Sequence, residues 1–190
     1  ADEIGIRNIQ FIGGEPLIYK NLWEAIEFAR ESCHIDEIEV FTNLTLLKEN
    51  DISLLKKYRI KIATTLLGPT SQIHDACTQR AGSFEKWNKN ITKIKEAGIP
   101  FRIAVVRMKE NENTIPDIKR FLQEKELLVN GEFHVDDVRP AGRGSKNKEA
   151  VNFKTSRNLY LIVNHSYFRR AQLYNTCWAG ELCISSSGDV

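Results

Sequence analysis

The chain has 190 residues, 42% of them apolar and 27% charged, which reads as a soluble globular chain rather than a disordered one and fits one domain with a sizeable core. Its formal net charge is +2, and Lys and Arg are scattered rather than gathered into a basic run with interleaved aromatics, so no nucleic-acid partner is expected. No apolar stretch approaches the roughly 20 residues that span a bilayer. There is no signal-peptide pattern and no disulfide framework, so a reducing cytoplasm is the expected compartment, with no membrane partner.

In chain order, Arg7 to Ile12 (RNIQFI) reads as a strand. Asn21 then reads as the cap of a helix running to about Cys33, with Glu24 completing a capping-box-like start. Ile38 to Asn43 (IEVFTN) is the next strand, followed by a helix near Asp51 to Tyr58 and a third strand, Lys61 to Leu66. A polar loop leads to Ser83, read as the N-cap of a helix with Phe84, Trp87, Ile91 and Ile94 at helical spacing. Gly98 ends that helix and Pro100 prevents its resumption. FRIAVVRM, from Phe101, is a fourth strand apolar enough to be buried on both faces. A helix from Ile115 to Glu124 and a fifth strand within GEFHVDDV complete the alternation.

Strands alternating with helices predict an α/β fold with a parallel sheet, either part of a barrel or an open doubly wound sheet. Both place ligands at the carboxyl ends of the strands, where Glu15, Thr42, Asn43, Arg139 and Arg143 fall. The loop RPAGRGSKNKEA then breaks the rhythm, and residues 156–172 read as one more helix. The final CWAGELCISSSGDV reads as the start of a small separate β unit.

The first turn carries Gly13, Gly14, Glu15 and Pro16, more than a strand-to-helix connection requires. Two glycines permit positive φ and close approach of another group, and the carboxylate suits an ammonium better than a phosphate. No Lys-Ser/Thr pair or spaced third glycine makes it a phosphate or dinucleotide loop. A tight turn with a solvated Glu explains the same residues.

FIGGEPLI followed one unit later by VFTN resembles the radical S-adenosylmethionine (SAM) enzymes. The likeness continues through HDACTQRAGSFEKWNKNITKIKEAGIPF, VRPAGRG and CWAGELCISSSGDV, the last two resembling the subgroup with a C-terminal SPASM extension. The resemblance implies a partial parallel (β/α) barrel over residues 1–155, with a connecting helix and the start of a SPASM-like extension over 156–190. It implies that Gly13, Gly14, Glu15 and Pro16 hold the amino end of SAM, with Thr42, Asn43 and Arg80 around the cofactor. Cys177, and with less support Cys183, would ligate an auxiliary iron–sulfur cluster in a longer protein. The implied activity is an oxidoreductase of the peptide-maturase kind, in which SAM and a [4Fe–4S] cluster yield a 5′-deoxyadenosyl radical that acts on a peptide, protein or small-molecule substrate.

Departures from the family pattern matter as much. The cysteines are at 33, 77, 177 and 183, so the three-cysteine C-x-x-x-C-x-x-C loop is not among them. The chain is therefore expected to be a fragment that begins after that loop and is inactive alone, with an open edge at Arg7 to Ile12 through which it could dimerise. Thr64 to Gly68 (TTLLG) lacks the acid of the family's Ser-Leu-Asp-Gly, and TNLT replaces the commoner Thr-Asn-Gly-Thr, which reads as a conservative change. His74 and Asp75 read as a structural loop pair more readily than as a catalytic one. The alternative to an enzyme is a non-catalytic α/β-barrel binding module that has lost its cluster.

Overall fold

The computed structural model describes residues 6–128 and 133–137, all within one compact unit. Five strands form one sheet: β1 Asn8–Phe11, β2 Glu37–Phe41, β3 Lys61–Thr65, β4 Phe101–Arg107 and β5 His134–Asp137. Every neighbouring pair is parallel and the spatial order is β1-β2-β3-β4-β5. Right-handed crossovers in an unbroken order put all the connecting helices on one face, as in a barrel wall; a doubly wound sheet needs a reversal of strand order. The fold is a partial parallel (β/α) barrel.

The connecting helices are α1 Leu22–Glu31, α2 Glu49–Lys57, α3 Ser71–Thr78, α4 Ser83–Glu96 and α5 Ile115–Glu124. Their apolar stripes meet the β-branched face of the sheet. Ile38, Val40, Ile62 and Val105 from the strands, and Ile26, Leu55, Trp87, Ile91, Ile94 and Ile118 from the helices, are at most 1% exposed. Trp87 buries its whole ring and still satisfies its indole N–H, which donates to Thr64 Oγ1 at 3.0 Å. In the middle of β4, Ile103, Ala104 and Val105 are buried in succession, as its composition predicts.

The other face of the sheet is polar. Arg102 sits beside Ala63 in register, and the small alanine lets the guanidinium cross to Glu39, donating from Nε at 2.8 Å and Nη2 at 2.7 Å. Gln10 Nε2 donates to the same carboxylate, and the Arg102 guanidinium lies 5.6 Å from the centre of the Phe41 ring. Half-burial, the largest single influence, pushes the Glu39 carboxyl up, but the bonds from Arg102 and then Gln10 together outweigh it and hold the group below its ordinary range.

Three local readings are corrected. Asn21 stands before α1, but its side chain makes no capping bond. The stretch after β3 is not a loop but α3, and Ser83 is the first residue of α4 rather than its cap. The cap comes from α3: Asp75 accepts the Gly82 N–H at 2.6 Å, the Phe84 N–H at 2.8 Å and the Ser83 hydroxyl at 2.8 Å. Those donors, the Phe84 amide first, hold the Asp75 carboxyl below its usual range. Gly98 ends α4 with φ +67°, the left-handed geometry expected of it. Arg139, Arg143, Cys177, Cys183, the 156–172 helix and the 155/156 division lie outside the described residues.

Candidate functional site

The first turn leaves β1 through Gly13, at φ +150°, and Gly14. A side chain added at either glycine would meet no atom of the described residues within 4 Å, so packing among those residues does not explain them and leaves the space before them open. Pro16 is buried at the start of a single 3₁₀ turn, Pro16–Ile18, whose cap is Glu15. Glu15 Oε1 accepts the Leu17 N–H at 3.1 Å. The same oxygen accepts the Thr42 hydroxyl at 2.6 Å, and Oε2 accepts the Asn43 N–H at 2.8 Å. Glu15 thus ties the turn after β1 to the turn after β2. A carboxylate has about four acceptor positions, and three are filled.

Thr42, 2% exposed, is a relay: its Oγ1 donates to Glu15 and accepts the Leu44 N–H at 3.1 Å. Asn43 contributes its backbone to Glu15, while its Oδ1 accepts the Thr45 N–H at 2.9 Å and the Thr45 hydroxyl at 2.6 Å. Leu44 has φ +59° and is 0% exposed. The TNLT change is therefore not conservative. It puts a branched side chain where glycine would be relaxed, at a cost of about 1–2 kcal/mol that burial of the side chain offsets. The Leu44 carbonyl is held by Asn90 of α4, whose Nδ2 donates at 2.6 Å.

The next two rim loops are also held by side chains. His74 Nδ1 accepts the Leu67 N–H at 3.2 Å. Burial pushes His74 down to about 4, with Asp75 pulling weakly upward, so the ring is neutral and free to accept. Asn111, 1% exposed, donates to the carbonyls of Leu67 and Val106, both at 2.9 Å, and its Oδ1 accepts the Met108 N–H at 2.8 Å. Cys77 Sγ approaches the Leu67 carbonyl at 3.6 Å, and burial raises its thiol to about 11, which keeps it protonated. Arg80 is exposed just past α3, and its guanidinium makes no hydrogen bond or ion pair among the described residues.

The structure thus brings Gly13, Gly14, Glu15, Pro16, Thr42 and Asn43 together at the carboxyl rim. No three His, Cys, Asp or Glu among the described residues converge to hold a metal ion, and Cys33 packs against the core. These residues suit the amino end of SAM: open glycine backbone, a negative charge and one spare acceptor position. They do not suit a cluster. The sequence reading missed Leu44, Asn90 and Asn111. For Asn90 there was a signal, an amide on the apolar stripe of α4 between Trp87 and Ile94.

The sequence profile of the radical SAM superfamily matches residues 1–122, so the chain belongs to that superfamily. It is 28% identical over 142 residues to the antilisterial bacteriocin subtilosin biosynthesis protein AlbA of Bacillus subtilis, covering 74% of this chain and 31% of AlbA. It is 30% identical over 148 residues to GTP 3′,8-cyclase of Clostridium botulinum, covering 77% of this chain and 45% of that enzyme. The fold matches Streptococcus suis SuiB with a TM-score of 0.65 at 22% identity, over 90% of this chain and 38% of SuiB. It matches anSMEcpe with bound AdoMet with a TM-score of 0.60 at 20% identity, over 72% of this chain and 37% of that one. The chain therefore spans less than half the length of these relatives. Members of the superfamily bind SAM and iron–sulfur clusters.

Proposed function

We propose that this chain forms the SAM-binding part of a radical SAM/SPASM enzyme that modifies a peptide. One observation carries the reading: Glu15 clamps the first two rim turns together beside two glycines that face open space. In this reading Gly13 and Gly14 let the amino end of SAM reach the backbone, Glu15 supplies the opposing charge, and Thr42 and Asn43 fix the carboxylate's direction. Pro16 sets the turn, and Arg80 is the cation available to the carboxylate end. When bound, SAM with a reduced [4Fe–4S] cluster supplies the 5′-deoxyadenosyl radical, which is the cofactors' chemistry rather than the protein's. Cys177, and with less support Cys183, belong to an auxiliary cluster of the SPASM extension that follows the barrel. The substrate class follows AlbA, a bacteriocin biosynthesis protein.

The test uses the full-length protein that carries this chain, reconstituted anaerobically with iron and sulfide. It is expected to bind SAM and release 5′-deoxyadenosine, whereas residues 1–190 alone release none. Glu15→Ala should weaken SAM binding at least tenfold through the lost charge and the freed β2 turn. Unchanged affinity removes this turn from the site, and SAM binding without cleavage favours the non-catalytic module. A second substrate reading, a nucleotide, has one observation behind it: the likeness to GTP 3′,8-cyclase. Turnover of GTP but not of a precursor peptide would select it.

A further inference from the structure

We propose that Asn90, in the core and on no rim loop, is a positioning residue for the SAM turn and acts through Leu44. This rests on the reading of Gly13, Gly14 and Glu15 as that turn. Leu44 must stay left-handed, at φ +59°, for the β2 turn to keep its shape; burial of its side chain offsets the strain, and its backbone partners fix the direction of its peptide groups. Asn90, 8% exposed, fixes the Leu44 carbonyl at 2.6 Å. At the other end of the same residue, the Leu44 N–H meets Thr42 Oγ1 at 3.1 Å. That bond fills an acceptor position on the hydroxyl and directs its hydrogen to Glu15 Oε1, 2.6 Å away. The Asn43 N–H, one residue earlier, reaches Glu15 Oε2 at 2.8 Å. If Leu44 relaxed to negative φ, its carbonyl and N–H would turn away together, and both Glu15 oxygens would lose donors from the β2 turn. Asn90 therefore sets the direction of the Glu15 carboxylate through three consecutive hydrogen bonds.

A satisfied core amide would also explain the Asn90 bond, but it predicts a loss of stability and nothing else. The experiment measures SAM dissociation constants in the full-length protein for Asn90→Ala, Glu15→Ala, the double variant and Trp87→Phe. Trp87→Phe disturbs the same helix, but the hydrogen bond it loses goes to Thr64 on β3. Asn90→Ala should raise the constant about tenfold, the worth of one well-placed hydrogen bond. Trp87→Phe should stay within about twofold even if its thermal midpoint falls as far. Because Asn90 acts through Glu15, the double variant should be no weaker than Glu15→Ala alone. Backbone hydrogen exchange over 41–46 should rise in Asn90→Ala and not in Trp87→Phe.

An unchanged constant in Asn90→Ala, an equal loss in Trp87→Phe, or multiplied losses in the double variant would each overturn the proposal. If Glu15→Ala itself leaves the constant unchanged, the underlying site reading fails and takes this proposal with it. If Glu15→Ala weakens binding and Asn90→Ala does not, only this proposal fails. Should Asn90→Ala not fold, Leu44→Gly provides the second route. Glycine holds the left-handed geometry unaided, so Asn90→Ser in that background should weaken SAM binding less than in the wild-type background. Equal weakening in both would overturn the proposal.

Discussion

At the amino end of the sheet a single cation, Arg30, donates to four backbone carbonyls. Its bonds run to Ile35 at 2.5 Å, Asp36 at 2.8 Å, Tyr58 at 2.7 and 3.2 Å, and Arg59 at 3.3 Å, joining the end of α1 to the entries of β2 and β3. At the carboxyl end no one residue among those described does this. Glu15, His74, Asn90 and Asn111 each hold one or two rim loops, His74 and Asn90 by a single atom, Glu15 and Asn111 by two. The first arrangement uses up backbone acceptors and ties the bottom of the wall together at β2 and β3. The second supports the loops from within and leaves the Gly13–Gly14 edge open. In (β/α) barrels the carboxyl rim serves function and the amino end serves stability, and here the two ends use different chemistry to do so.

The most severe test of that division is Arg30→Ala. Four carbonyls at a half-buried junction would lose a charged donor, so the chain should lose about 3 kcal/mol in urea unfolding, with SAM affinity unchanged. A change in affinity would mean that the two ends are coupled.

The ends should also separate by pH. His74 is held near pH 4 by burial, whereas an unfolded histidine titrates near 6.5. The unfolded chain therefore binds the extra proton first, and stability falls as pH drops from 6.5 to about 4, by up to roughly 3 kcal/mol. At the amino end, Glu27 is lowered first by the Tyr58 hydroxyl and then by Lys57; its contribution is present above its ordinary pKa and lost only at lower pH. Acid unfolding followed with and without His74→Gln should show the upper window disappear in the variant. If the window persists, another group carries it.

A smaller effect is expected at Gly68, on the rim but facing inward. A Cβ there would lie 2.6 Å from Ile73 Cγ2 and 2.7 Å from the His74 backbone nitrogen, which cannot move without shifting α3. Gly68→Ala should cost about 1–3 kcal/mol by overpacking. Alanine at Gly14, where no atom of the described residues is within 4 Å, should leave stability nearly unchanged and be felt in SAM binding instead.

The strands, α5 and the sheet's parallel sense were legible because each rests on local apolar periodicity. The Gly13–Pro16 turn stood out as well, because two glycines and an acid exceed what a plain connection requires, although a tight turn with a solvated Glu explains the same residues. In the structure Glu15 instead accepts three hydrogen bonds. The partners of Glu15 were not legible, since Thr42 and Asn43 come from 27 and 28 residues away. The helix α3 was read as loop because its eight residues, SQIHDACT, carry too few apolar side chains to show a period. Its stability depends on Gly68 admitting Ile73 and on His74 finding the Leu67 amide, and both are tertiary. The strain at Leu44 was missed for another reason: leucine itself carries no sign of positive φ, and the one sign available, the glycine of the commoner Thr-Asn-Gly-Thr, reads as a conservative exchange.

The smallest expected effect is Asn21→Ala, and it separates local reading from structure most directly. An asparagine before an apolar-periodic run is among the best N-cap signals, and removing such a cap ordinarily costs about 1 kcal/mol. Here Asn21 adopts φ −100° and ψ 19° rather than the extended geometry of a cap, and its side chain bonds no helix amide. Only its carbonyl takes part, accepting the Ala25 N–H at 2.9 Å, and alanine supplies that equally well. The substitution should therefore stay within about 0.5 kcal/mol in urea unfolding. The contrasting variant is Asp75→Ala, which leaves the amides of Gly82 and Phe84 without their acceptor and should destabilise α4 measurably. If Asn21→Ala instead costs as much as Asp75→Ala, α1 is capped in solution by the side chain that its sequence advertises. The rim would then include a contact at the exit of the Gly13–Pro16 turn, and Asn21 would join the residues that hold that turn in place.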